Sequence, residues 1–244
     1  MLELKNYSNF ILKDISFLLK NNENLLILGE NGAGKSTLAK VLSSIISSNN
    51  LFFNEKNISK LSGIQRAKLI NYIPSSFEIF DDYMTVLEYL KLSTIENRSD
   101  EEIENLIKLL KINHIKNSSC SSLSSGEKQL VLLASAILHD AKITIFDELM
   151  ANLDIKRLRD VFLILNSNYL KQKIIITHNL DFAYALKNYK VLYLEAGVLK
   201  FYGDHEEFFC KERLKEFYND SLRFENTHLV VDLWKFFYIF FHWF

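Results

Sequence analysis

Four short clusters hold the side chains that could do chemistry. The first is Gly29-Glu30-Asn31-Gly32-Ala33-Gly34-Lys35-Ser36-Thr37, which follows the apolar run at 25–28 and precedes a helix-like stretch. Glycines at this spacing let backbone N–H groups turn toward phosphate oxygens, and a helix N-terminus adds a dipole that favours negative charge. In such a loop Lys35 reaches the β- and γ-phosphates and the Ser36 hydroxyl ligates Mg²⁺. The second cluster is Asp147-Glu148, at the end of another apolar run. Asp147 could hold Mg²⁺ directly or through water, and Glu148 could orient or deprotonate an attacking water. Alone, the pair would read equally well as two solvated loop carboxylates. The third is His178, after Ile174-Ile175-Ile176-Thr177. A histidine at a strand end is more often a structural hydrogen-bonder. Placed at the same sheet edge as Lys35 and Asp147, it becomes a candidate contact to the terminal phosphate and the attacking water. The fourth is Leu123-Ser124-Ser125-Gly126-Glu127-Lys128-Gln129, where hydroxyls at a helix start offer a second anion site and a plain N-cap at once.

These residues need a scaffold that brings strand ends together. Short strands are predicted at 2–4, 11–12 and 15–19, and a buried strand at 25–28. A helix is predicted over 36–44, with Leu38, Val41 and Leu42 on one face. Further strands are predicted at 143–146, 173–177 and 191–194, then a turn at Gly197 and a return strand at 198–202. Continuous apolar strands alternating with helices imply a parallel α/β sheet, whose ligands bind at the carboxyl ends of the strands. Between 85 and 138 the pattern turns helical: Ile103, Leu106, Ile107 and Leu110 fall at helical spacing within 101–110.

Composition bounds the rest. The chain has 244 residues, 48% hydrophobic and 24% charged, enough for one large domain or two small ones. A formal net charge of -1 gives no electrostatic reason to expect a nucleic-acid partner. Cys120 and Cys210 lack metal-ligand spacing and read as reduced thiols of a cytosolic protein. The first residues lack the apolar core of a signal peptide. The stretch LVVDLWKFFYIFFHWF at 229–244 is dominated by aromatics but short for a bilayer span, and it contains Asp232, Lys235 and His242. It reads as a helix packed on the body or a read-through tail, with a membrane- or partner-contacting helix as the functional alternative.

Taken together, GENGAGKST, LSSGEKQ, ITIFDE, ANLD and ITHNLDFA, in that order, resemble the ATP-binding-cassette (ABC) ATPases up to about Phe217. The resemblance implies a P-loop NTPase of the ABC type, with a RecA-like parallel core, an N-terminal antiparallel β subdomain and an inserted α-helical subdomain. It implies a cassette over 1–225 with the helical part at about 76–138, and a separate tail at 226–244. It further implies hydrolysis of ATP with Mg²⁺ in a head-to-tail homodimer, where residues 29–37 of one copy face Ser124, Ser125, Gly126 and Glu127 of the other. Lys35, Glu148 and His178 would be catalytic, Ser36 and Asp147 would hold the metal, and Tyr7 (or Phe10) would stack on adenine.

A finer similarity is to the ATPase subunits of importers for iron–siderophore, haem and vitamin B12. Glu127 stands in the signature where most cassettes have Gln, Leu61 to Pro74 is similar to "LSxxERAxxIAYVPQ", and His178 to Ala183 is close to "HDLNxA". Such a subunit would sit on the cytoplasmic face of the membrane, bound to separate permease subunits served by a periplasmic or surface binding protein. Four positions depart from the pattern: Ser75 replaces the Q-loop glutamine, Ser125 the first signature glycine, Leu149-Met150 the usual Pro-Thr, and Ser135 a helix arginine. They leave room for a slow ATPase, or for a degenerate or non-transport cassette acting as a nucleotide-dependent scaffold.

Overall fold

The run at 25–28 is buried on both sides because it lies mid-sheet. The computed structural model describes residues 1–77, 81–150, 153–219, 221–226 and 228–231. Among these, strand β3 (Asn24–Gly29) lies between β8 (Gln172–Ile176) and β9 (Tyr189–Glu195), parallel to both. The six-stranded sheet runs β10 (Val198–Gly203), β9, β3, β8, β7 (Ile143–Asp147), β6 (Ile70–Ile73), with only β10 antiparallel to its neighbour. A strand with both faces covered needs no polar alternation, which is why these segments read as continuous apolar runs.

The alternating side chains of this sheet feed two cores. Leu25, Ile27, Ile145, Ile174, Ile176 and Leu192 face a layer built from helix α1 (Lys35–Leu42) and a four-stranded antiparallel sheet. That sheet has the order β2 (Ile15–Leu19), β1 (Leu2–Tyr7), β4 (Leu51–Phe53), β5 (Lys56–Asn57). Leu26, Leu28, Phe146, Ile175, Val191 and Tyr193 face the other core. There they meet α3 (Val86–Leu92), α4 (Asp100–Leu109), α5 (Ser125–His139), α6 (Ile155–Leu165), α7 (Leu180–Ala185), α8 (His205–Phe208) and α9 (Lys211–Tyr218). Each fully buried Leu or Ile stabilises the fold by about 1.5–3 kcal/mol relative to exposure.

Helix starts follow local chemistry. Ser62 and Gln65 cap α2 (Gly63–Leu69) reciprocally, and Thr85 with Glu88, Ser99 with Glu102 and Ser124 with Glu127 do the same for α3, α4 and α5.

Three sequence expectations are corrected. Residues 11–12 form a turn, not a strand, because Asn9 Oδ1 accepts from the amides of Ile11 (2.8 Å) and Leu12 (2.6 Å). Strand β6 joins the parallel sheet at its edge, ahead of the helical segment, which a motif-based reading passed over. Leu229, expected to open a helix or a tail, belongs instead to a hairpin of β11 (Leu222–Glu225) and β12 (His228–Val231). The hairpin docks on α7: Leu229 N donates to Asp181 Oδ1 at 2.9 Å, and His228 Nδ1 lies 3.2 Å from Asp181 Oδ2. The rest of the aromatic stretch, 232–244, lies outside the described residues. Among the described residues no helix is long and apolar enough to cross a membrane. Cys120 is buried and unbridged, and burial pushes its thiol up to about 11.

Candidate phosphate and metal site

Strand β3 delivers the glycine-rich loop to the carboxyl edge of the sheet. Gly29 has φ +144°, and a Cβ there would strike the Leu194 carbonyl oxygen of β9. Gly34 (φ +99°) precedes α1, and a Cβ on it would come within 2.8 Å of Leu12 Cδ2 and 3.0 Å of Ile11 Cγ2. The loop is thus wedged between a neighbouring strand and the turn at 9–12. Ala33 accepts the Gly197 amide at 3.1 Å, which fixes the loop from a third side. Lys35 is 6% exposed, and its Nζ donates to the carbonyls of Gly29 and Glu30, both at 2.8 Å. Burial lowers its pKa, opposed by the nearby carboxylates of Glu148 and Asp147. Asn31, Gly32 and Ser36 are exposed along the loop and the first turn of α1, whose leading amides have no partner within the helix.

Asp147 ends β7 at 2% exposure and is held at both oxygens. The Ser36 hydroxyl donates to Oδ1 at 3.2 Å and the Tyr72 phenol to Oδ2 at 2.9 Å. Burial, then the Asp147 charge, pushes the Tyr72 pKa upward, so the phenol stays a neutral donor. The oxygens of Ser36 and Asp147 form a hard donor pair that fits Mg²⁺, an ion that commonly completes its shell with phosphates and water. Glu148 follows with φ +58°, its amide donating to the Ile176 carbonyl at 3.0 Å. That turn aims Glu148 Oε1 to 3.3 Å from His178 Nδ1, the residue after the end of β8 and Thr177. The structure therefore gathers Lys35, Ser36, Asp147, Glu148 and His178 at one edge.

Two expected members are not part of this gathering. Tyr7 is 7% exposed and packed in the core, so its ring offers no open face to adenine. Phe10 is 91% exposed, on the turn that touches Gly34. The second cluster also stands apart. Among the described residues no hydrogen bond or ion pair joins 124–127 to the loop, to Asp147, to Glu148 or to His178. Ser124 Oγ and N donate to Glu127 Oε2 at 2.6 and 2.9 Å, and these bonds hold the Glu127 carboxyl below its usual range.

Three of the four departures have local structural accounts. Leu149 and Met150 are buried in the apolar core, and Ser135, also buried, donates to the Leu132 carbonyl at 2.8 Å. The backbone of Ser75 accepts from Gln129 Nε2 at 3.2 Å, while the buried Gln129 Oε1 has no partner. Sequence reasoning missed Tyr72 and Arg157 as site neighbours. A cavity of about 550 Å³ between α4 and the end of α5 includes none of the candidate site residues.

Comparison with known proteins agrees with this arrangement. A family profile described as ABC transporter matches residues 12–151. An uncharacterised ABC transporter ATP-binding protein of Methanocaldococcus jannaschii is 30% identical, over 90% of this chain and 90% of its own. A putative ABC transporter ATP-binding protein of Clostridium tetani is 35% identical over 71% of this chain, but the chain spans only 41% of that protein's length. An inward-facing putative metal-chelate type ABC transporter shares the fold at TM-score 0.74 and 21% identity, covering 96% of this chain and 98% of the other. The chain belongs to the ABC transporter ATP-binding family. It carries that family's ATP-hydrolysing cassette, which uses ATP with Mg²⁺.

Proposed function

We propose that the chain is the ATPase subunit of an importer, acting as a homodimer on the cytoplasmic face of the membrane beneath separate permease subunits. The observation that carries the catalytic part is the convergence of Lys35, Ser36, Asp147, Glu148 and His178 on one sheet edge. Lys35 and the amides of 29–37 cradle the phosphates, Ser36 and Asp147 hold the metal, and Phe10 takes the adenine role first assigned to Tyr7. Glu148 orients or deprotonates the water that attacks the γ-phosphoryl group, giving ADP and phosphate, while His178 steadies Glu148 and touches the transferred group. The isolation of 124–127 from these groups favours a head-to-tail pairing, with Ser124 and Gly126 serving the nucleotide of the second copy. The cassette extends past 225 to include the hairpin of β11 and β12, which docks on α7, with the helical insertion at about 76–138.

The proposed cargo is an iron–siderophore, haem or cobalamin, delivered by a binding protein. Glu127, the 61–74 stretch and the coverage of the metal-chelate type transporter support this class. An energy-coupling factor transporter ATP-binding protein of Fusobacterium nucleatum, 30% identical over 87% of its length, supports a second reading, as the ATPase of an energy-coupling factor transporter. Two measurements test these readings. Glu148→Gln should lower Mg-ATP turnover by about 100- to 10,000-fold, the range for losing a general base, and leave a dimer that persists in ATP. Absence of turnover in the unmodified chain with its permease would leave only the scaffold reading. Uptake of labelled chelate into proteoliposomes, with and without a binding protein, tests the proposed cargo and its delivery; no uptake in either case would overturn both.

A further inference from the structure

Arg157 lies in the first turn of α6, outside every motif read from the sequence, yet it touches the Ser124–Glu127 turn. A Cβ on Gly126 would overlap Arg157 Nη1 and come within 3.5 Å of its Cδ and Cζ, so the side chain lies directly against the bare backbone of the turn. Its Nη2 is 4.0 Å from Glu127 Oε1, and its Nε is 3.5 Å from Asp154 Oδ2. Asp154 also caps α6 by accepting the Arg157 amide at 2.9 Å. One guanidinium thus reaches two carboxylates at the starts of two helices, α5 and α6, and its side chain is 30% exposed. The planar fork of arginine can serve both at once, which the point charge of lysine cannot.

We propose that Arg157 is a positioning residue for ATP hydrolysis: it braces the Ser124–Glu127 turn against Asp154, so that the turn is preset to meet the nucleotide of a second copy. The idea rests on the head-to-tail pairing proposed above. The brace matters more here than in a turn with two glycines, because the Ser125 side chain narrows the backbone's approach. His114 Nε2, 3.3 Å from Glu127 Oε1, is a second cationic partner when protonated, but it reaches only Glu127 and leaves the link to Asp154 unmade.

The test compares R157A and R157K, each alone and combined with E148Q, in the full chain. ATP binding to the isolated chain, turnover, and ATP-dependent dimerisation by light scattering are read together. R157A should lower kcat by about 10- to 100-fold, the size of loss that sub-ångström to ångström misplacement produces. Its affinity for ATP as a monomer and its thermal unfolding should stay at the unmodified values, because the phosphate loop is elsewhere. R157K should recover part of the loss. E148Q/R157A should need more protein than E148Q to dimerise in ATP. Unchanged turnover and dimerisation in R157A would overturn the assignment while the pairing stands. A parallel fall in monomer ATP affinity and thermal stability would overturn it in favour of a purely structural role. Failure of E148Q itself to dimerise in ATP would overturn the pairing, and the proposal with it.

Discussion

At the scale of single residues, the site depends on a carboxylate held at both oxygens. Ser36 and Tyr72 fix the Asp147 rotamer before any metal arrives. Tyr72→Phe removes one donor to a buried charge, a bond typically worth about 1.5–3 kcal/mol. The expected outcome is a lower denaturation midpoint and a several-fold higher Mg²⁺ concentration for half-maximal turnover, checked by urea unfolding and a Mg²⁺ titration of activity. An unchanged Mg²⁺ requirement would show that Ser36 alone orients Asp147. The residues most readable from sequence were those whose backbone context constrains them: Lys35 behind its glycines, Asp147 at the end of an apolar run. Tyr72 and Arg157 were unreadable because their roles depend on side chains converging from distant segments. Tyr7 misled because an aromatic near the N-terminus looks the same whether it packs inward or projects outward. Only burial separates it from Phe10.

At the scale of elements, the helical layer starts on carboxylates. The backbone and side-chain hydrogen bonds from Thr85 hold the Glu88 carboxyl below its usual range, and those from Ser99, with Arg98, do the same for Glu102. The folded-state pKa values are depressed. The capping stability is therefore present above the unfolded-state value, about 4.3, and is lost as pH falls through the folded-state values. The double variant E88Q/E102Q keeps a capping side chain that does not titrate. Urea midpoints measured from pH 6 down to pH 3 should fall less steeply for this variant than for the unmodified chain; equal slopes would refute the role of these caps in acid sensitivity. Strand positions were legible wherever both faces are buried, as at 143–146. The turn at 11–12 was not, since two apolar residues fit a strand or a turn equally, and the deciding bond comes from Asn9. The hairpin at the C-terminal end was hidden by the aromatic composition of the stretch that follows it.

At the scale of the whole molecule, the hairpin of β11 and β12 closes over α7, which begins two residues after His178. Asp181→Ala removes the acceptor of the Leu229 amide and the partner of His228. It should cost about 1 kcal/mol, the usual net value of one hydrogen bond, visible as a lower thermal midpoint. ATP affinity should be unaffected, because Asp181 and its partners His228 and Leu229 are not among the groups gathered at the phosphate loop. A fall in ATP affinity would mean that the hairpin's docking reaches the site through α7 and His178.

The placement of β3 has a mechanical consequence. Leu25 and Ile27 are gripped by one core, Leu26 and Leu28 by the other, and Gly29 is pressed against the Leu194 carbonyl. Moving this strand would require both interiors to repack at once, which close-packed interiors resist. The phosphate loop is therefore the stator of the machine. Work drawn from the nucleotide has to appear as travel of parts anchored to a single core, and the helices α3 to α5, which share no core with the antiparallel sheet, are among the parts with that freedom.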